Sequence, residues 1–149
     1  QRLAERRPAQ PAAVVVSRSN PPPDLDPSWL FWRQPLQRLL AAPAGAAALP
    51  PAGFEQMVPF EHWQGLLSGL KAAGFERLVL LGGAQLAGAL LQADLVDELQ
   101  LTLCPLLLGG AFHWLPAAAR PQPQRWHLLE TQPLGEDELL LRYQRSENA

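Results

Sequence analysis

The chain predicts an α/β protein with a mixed, mostly parallel sheet, on three observations. The middle of the sequence alternates short apolar runs with stretches of helical periodicity, in the order strand, helix, strand, helix, strand. The apolar run Arg77-Leu-Val-Leu-Leu81 passes through Gly82 and Gly83 straight into the apolar stretch Ala84 to Ala93, as a buried strand leads into a helix. Near the end, Arg125-Trp-His-Leu-Leu-Glu130 and Glu138-Leu-Leu-Leu-Arg-Tyr-Gln144 flank the turn residues Gly135-Glu-Asp137, which predicts a C-terminal antiparallel hairpin.

Each element has a local reason. Ala12-Ala-Val-Val-Val16 is a β-branched run stopped by Ser17-Arg-Ser-Asn20 and three prolines, hence a strand entering a loop. Pro21 to Pro35 has linker-like composition, but Trp29, Phe31 and Trp32 predict that it packs against something. Gln37 to Ala42 is the second strand, Pro43 to Gly53 an irregular loop, and Phe54 to Pro59 a third, short strand. From Glu61 the apolar residues Trp63, Leu66, Leu67 and Leu70 share one helical face, and Gly74 is the stop signal. Arg77 to Leu81 is expected to be a fully apolar strand, Ala84 to Ala93 a helix, and Glu98 to Leu103 another strand.

Bulk properties narrow the function classes. A length of 149 residues fits one domain. Twelve basic against 14 acidic side chains give a net charge of −2, with no basic cluster to suggest a nucleic-acid partner. No apolar run is long enough for a membrane span and no signal peptide is legible, so the expected location is cytoplasmic, with no membrane partner. The single cysteine, Cys104, fits a reducing compartment and is expected in the core. The chain opens on Gln1, and the expectation is a fragment whose first part lies upstream.

Two places could hold an anion. Gly82 and Gly83 permit positive φ and close backbone approach, and the helix start at Ala84, Gln85 and Leu86 offers unpaired N–H groups, the geometry that binds phosphate. The same glycines also serve a plain tight connection. Ser17, Arg18 and Ser19 supply two hydroxyls and a guanidinium at the carboxyl end of a strand, either as a phosphate grip or as a solvated loop with local Ser-to-backbone bonds. The third glycine and later acid of the dinucleotide fingerprint are missing, as is the Lys-Ser/Thr of a P-loop. His62, His113 and His127 show no metal-ligand spacing, so no metal is expected, and Asp94, Asp97 and Glu98 read as a solvated helix-to-strand turn.

The series Leu81-Gly82-Gly83, Gly88-Ala-Leu-Leu91, Leu95-Val96-Asp97-Glu98-Leu99, Leu103-Cys-Pro105 and Leu108-Gly109-Gly110 resembles the reductase (C-terminal) domain of the bifunctional riboflavin-biosynthesis deaminase-reductases, across roughly Ala12 to Arg145. The resemblance implies a dihydrofolate-reductase-like three-layer α/β/α fold. It also implies an NADPH-dependent reduction of the ribose of a small-molecule substrate, 5-amino-6-(5-phosphoribosylamino)uracil or a related pyrimidine or pterin. Gly82, Gly83, Ala84, Gln85 and Leu86 would then lie against the cofactor pyrophosphate, and Ser17, Arg18 and Ser19 near the 2′-phosphate. Asp97 and Glu98 would shape a turn, and the late strands would pair two copies as a homodimer. The family's Glu-Gly-Gly, whose carboxylate faces the substrate, is here Leu81-Gly82-Gly83. The opening strand with its Ser-x-Asp-Gly motif has no counterpart, so residues 1–149 are expected to be a single reductase-like domain lacking that strand. The alternative is a non-catalytic nucleotide-binding or dimerisation module of the same fold.

Overall fold

The structure is a computed structural model that describes residues 10–19, 22, 25–45, 49–81, 83–110 and 113–146. It divides into two compact units, residues 1–78 and 79–149. The first contains a three-stranded parallel sheet of β1 (Ala13–Val16), β2 (Arg38–Pro43) and β3 (Gln56–Phe60), in the order β1-β2-β3. With β2 in the middle, both of its faces are covered. Leu39 and Ala41 point to α2 (Trp63–Ala72) and meet Leu66 and Leu70, while Leu40 and Ala42 point the other way, to Phe54, with Trp32, Leu25 and Met57 around them. All four β2 residues have zero exposure. This is why β2 reads as a continuous apolar run rather than an alternating one.

The Trp-rich segment does pack, and it does so through a buried cation. It forms a single helical turn, α1 (Leu30–Arg33), which sequence periodicity is too short to reveal. At the head of β2, Arg38 Nη2 donates to the carbonyls of Phe31 (2.9 Å), Trp32 (3.0 Å) and Gln34 (2.6 Å). Its guanidinium also lies over the Phe31 and Trp32 rings, 5.3 and 5.8 Å from their centroids. Glu55 supplies the counter-charge at 3.9 Å and also accepts from the Arg38 N–H at 2.5 Å. Trp32 is fixed in turn by its indole N–H to the Asp26 carbonyl (2.9 Å) and by edge-on contact with Phe54. Trp29, by contrast, remains half exposed.

The second unit holds α3 (Ala84–Gln92) and an antiparallel sheet of β4 (Glu98–Leu103), β6 (Glu138–Arg145) and β5 (Trp126–Gly135), in the order β4-β6-β5. Cross-strand partners share a face. One face gathers Leu99, Tyr143 and Leu128, then Leu101, Leu141 and Thr131, then Leu103, Leu139 and Pro133; the other gathers Glu98, Gln144 and His127, then Gln100, Arg142 and Glu130. The Arg142–Glu130 pair of that second row forms an ion pair at 3.3 Å. Among the described residues parallel and antiparallel strands are therefore equal in number, three of each, and β4, expected in a parallel centre, belongs to the antiparallel sheet.

Two expectations are corrected. Arg77 to Leu81 is not a strand: the segment pairs with no ladder among the described residues, and Leu78, Val79, Leu80 and Leu81 are 47, 81, 41 and 93 % exposed. An apolar run forms a strand only where another backbone satisfies its N–H and C=O groups, and composition does not report that. Cys104 is not in the core either. It lies exposed just past β4, and its thiol donates to Glu138 Oε1 at 3.3 Å. That hydrogen bond, and then the negative charge of Glu138, push its pKa up, the opposite of what an activated nucleophile needs.

Two stability predictions follow from this packing. Replacing Arg38 with Ala strips three carbonyls of their donor and takes away the cation that faces Glu55, and should cost about 2–4 kcal/mol in urea unfolding. Arg38→Lys should recover less than half of that, because an ammonium lacks the planar face that lies over the Phe31 and Trp32 rings and the second nitrogen that faces Glu55. The β5–β6 turn is two residues long, and Glu136 and Asp137 adopt φ of 50° and 61°, the left-handed geometry that suits Asn-Gly. Glu136→Asn with Asp137→Gly should raise stability by about 1–2 kcal/mol, visible as a higher melting temperature.

Candidate functional site

Open parallel sheets bind ligands beyond the carboxyl ends of their strands, and the first unit carries Ser17, Arg18 and Ser19 there. The last rung of β1 is the Ser17 N–H to the Ala41 carbonyl at 2.8 Å. Beyond it the chain turns, with Ser17 Oγ accepting from the Ser19 N–H at 3.2 Å. That bond is the local Ser-to-backbone contact of an ordinary loop, and it also fixes the Ser17 hydroxyl next to an exposed Arg18. Among the described residues no carboxylate neutralises Arg18.

The same edge carries a feature that sequence reading did not assign to the site. β3 ends at Phe60 and α2 begins at Trp63, so the N-terminus of α2 rises two strands from β1, roughly 10 Å away at normal strand spacing. His62 is its N-cap, and its Nδ1 accepts from the Gly65 N–H at 3.0 Å. That bond leaves the ring's other nitrogen, Nε2, as the N–H of neutral His62. The signal was present in the sequence as a strand followed within two residues by a helix. An apolar groove of about 420 Å³ lined by Leu25, Pro27, Trp32, Pro51 and Phe54 lies instead at the amino ends of β2 and β3, and among the described residues offers no charged group to a phosphate.

In the second unit, α3 opens on Gly83 at φ 80°, ψ 112°, with no side chain capping its first turn and no acidic residue in it. The first intrahelical bond runs from the Ala87 N–H to the Gly83 carbonyl at 3.0 Å, so the N–H groups of Ala84, Gln85 and Leu86 have no partner within the helix. A Cβ built on Gly83 meets nothing within 4 Å, so the demand for glycine comes from backbone conformation rather than from crowding. Gly82 lies outside the described residues. Leu81, the position implied to face substrate, is exposed and apolar. The two sets of predicted residues thus belong to different units, Ser17, Arg18 and Ser19 to one and Gly83, Ala84, Gln85 and Leu86 to the other. Among the described residues no three His, Cys, Asp or Glu side chains gather as a metal site, and no helix is long and apolar enough to cross a membrane.

The described residues form a mixed α/β fold, with parallel strands that end in a polar, cationic loop in the first unit and an antiparallel sheet with a helix start that no side chain caps in the second. The chain belongs to the RibD C-terminal domain family, whose profile matches residues 1–140. Its fold is similar to RibD of Acinetobacter baumannii, with a TM-score of 0.72 at 23 % identity over 93 % of this chain and 38 % of that one. It is also similar to a pyrimidine reductase-like protein from Corynebacterium diphtheriae, with a TM-score of 0.75 at 18 % identity over 99 % of this chain and 66 % of that one. The chain therefore spans well under half of the RibD polypeptide. No curated protein matches it in sequence.

Substituting Gly83 with Ala should strain the entry to α3 by about 1–2 kcal/mol and weaken binding of a phosphate-bearing ligand there. Calorimetric titration with pyrophosphate alone, on a variant shown folded by circular dichroism, checks this directly.

Proposed function

We propose that this chain is the cofactor-binding portion of an NADPH-dependent reductase of the riboflavin-biosynthesis kind, acting on a phosphoribosylamino-pyrimidine or a related ring. The observation that carries the reading is the start of α3: a glycine at φ 80° followed by three amides without a helical partner or a side-chain cap. Such a turn accepts a pyrophosphate without displacing any existing interaction. Arg18, flanked by Ser17 and Ser19, adds the second cationic element that a 2′-phosphate calls for, and its planar fork suits that group. Membership of the RibD C-terminal domain family supports the same reaction class.

When bound, the dinucleotide supplies the hydride, and the chain's own task is to hold, orient and dehydrate. In the second unit the Ala84, Gln85 and Leu86 N–H groups are the proposed pyrophosphate donors, and in the first unit Ser17, Arg18 and Ser19 are the proposed 2′-phosphate group. A second reading has one observation behind it. Leu81 gives the substrate no carboxylate and is 93 % exposed, which favours a nucleotide-binding or dimerisation module without turnover. NADPH consumption with the phosphoribosylamino-pyrimidine separates the two, since turnover removes the second reading. In either case a homodimer formed through the late strands would cover the apolar face of the antiparallel sheet.

NADPH should bind about tenfold more tightly than NADH, the difference one charge-assisted contact to the 2′-phosphate provides. Arg18→Ala should bring the two affinities to within about twofold, while leaving that for NADH unchanged; equal affinities in the unsubstituted chain would remove Arg18 from the site.

A further inference from the structure

The helix α3, Ala84-Gln-Leu-Ala-Gly-Ala-Leu-Leu-Gln92, has no charged residue of its own, and its last turn contains no basic side chain. A helix C-terminus favours a nearby cation, yet the residues that follow α3 include two carboxylates, Asp94 and Asp97. The missing cation comes from 51 positions further along the chain. Arg145, at the end of β6, pairs through Nη1 with Asp94 Oδ1 at 2.5 Å and donates to the Asp94 carbonyl at 2.8 Å. Its Nη2 reaches Asp97 Oδ1 at 3.4 Å, and its backbone N–H donates to the Asp97 carbonyl at 2.9 Å. Gln124 Nε2 closes the group on Asp94 Oδ1 at 2.6 Å.

Asp94 sits at φ 60° immediately after the helix end, a left-handed position that aspartate tolerates better than most side chains do. The Arg145 side chain is 27 % exposed but Asp94 and Asp97 are 57 and 88 % exposed, so water screens the charges, and the contact is fixed chiefly by the hydrogen bonds to the two backbone carbonyls.

We propose that Arg145 is a positioning residue for the phosphate-binding end of α3, acting through Asp94 and Asp97. The inference rests on the reading of the α3 N-terminus as a pyrophosphate site. The helix also packs through the buried Leu91 and closely at Gly88, where a Cβ would come within 3.0 Å of Pro116 and 3.2 Å of Ala119. Gly88 acts as a pivot, Arg145 fixes the C-terminal arm, and the N-terminal arm carries the donors. Ala84 stands about 6 Å along the axis from Gly88, so a tilt of about 10° moves those donors by about 1 Å, enough to degrade hydrogen bonds to a bound phosphate.

The test uses the full chain with Arg145→Met, Arg145→Lys and Asp94→Gly. Amide hydrogen exchange in the absence of ligand reads the latch, and calorimetry with NADPH reads its consequence. Arg145→Met should speed exchange of the Ala87–Leu91 amides about tenfold, change the β4–β6 amides by less than about twofold, and weaken NADPH about fivefold. Arg145→Lys should restore part of both. Asp94→Gly relaxes the backbone but removes the carboxylate, so faster α3 exchange supports the latch and slower exchange overturns it; this variant keeps the test open if Arg145→Met does not fold. Unchanged α3 exchange in Arg145→Met, or a loosened helix with unchanged NADPH affinity, overturns the positioning role alone. No NADPH binding by the unsubstituted chain overturns the reading of α3 and the positioning role together.

Discussion

Burial of β2 on both faces is the constraint on which the first unit depends. A strand without a solvent face must be covered twice, and here the two covers differ in kind. On one side α2 contributes Leu66 and Leu70; on the other a largely irregular segment does the work through Phe54 and Trp32. A helix satisfies its own backbone, whereas an irregular segment does not. The second cover therefore needs a donor for its carbonyls, and Arg38 provides one from the head of the buried strand itself. The position of the β1 loop follows from this arrangement, because β1 pairs only with β2.

Elements that carry their own pattern were legible. The 3.6-residue spacing of Trp63, Leu66 and Leu70 yields α2, and the boundaries of β4 are those its composition suggests. Patterns that depend on a distant partner were not. Arg77 to Leu81 has the composition of a buried strand, but no ladder forms there. α1 is one turn long, below the length at which periodicity exists, and is held by a residue outside itself. Cys104 sits in an apolar run, but the strand ends one residue before it and Glu138 draws the thiol outward.

The candidate site divides along the same line. Ser17, Arg18 and Ser19 and the start of α3 are local features, readable as a strand end and a helix start. The contribution of α2 was hidden because His62 reads as a histidine on a helix, and only the strand order places it on the edge that β1 shares. The acidic residues after α3 form the solvated turn that the sequence suggests, and what the sequence hid is the cation that meets them from about 50 positions downstream. Sequence proximity suggests a cluster of like charges; the fold makes it a mixed one. Family membership sharpens the reading of the local features without extending to the rest of a polypeptide that this chain covers only in part.

The tight turn between β5 and β6 bears on the order of folding. A two-residue connection whose central residues both hold unfavourable backbone angles is scarcely populated in an isolated peptide. The hairpin then cannot start at its tip and zip outward. Its alignment must come from the side chains of the ladder, where the cross-strand rows of Leu, Tyr and Thr and the Arg142–Glu130 pair select the partner positions. β4 draws on the same strand β6 from about 40 residues away. Formation of the antiparallel sheet should therefore depend on the side chains of its ladder more than its short connection suggests, because its most local contact is also its least favourable.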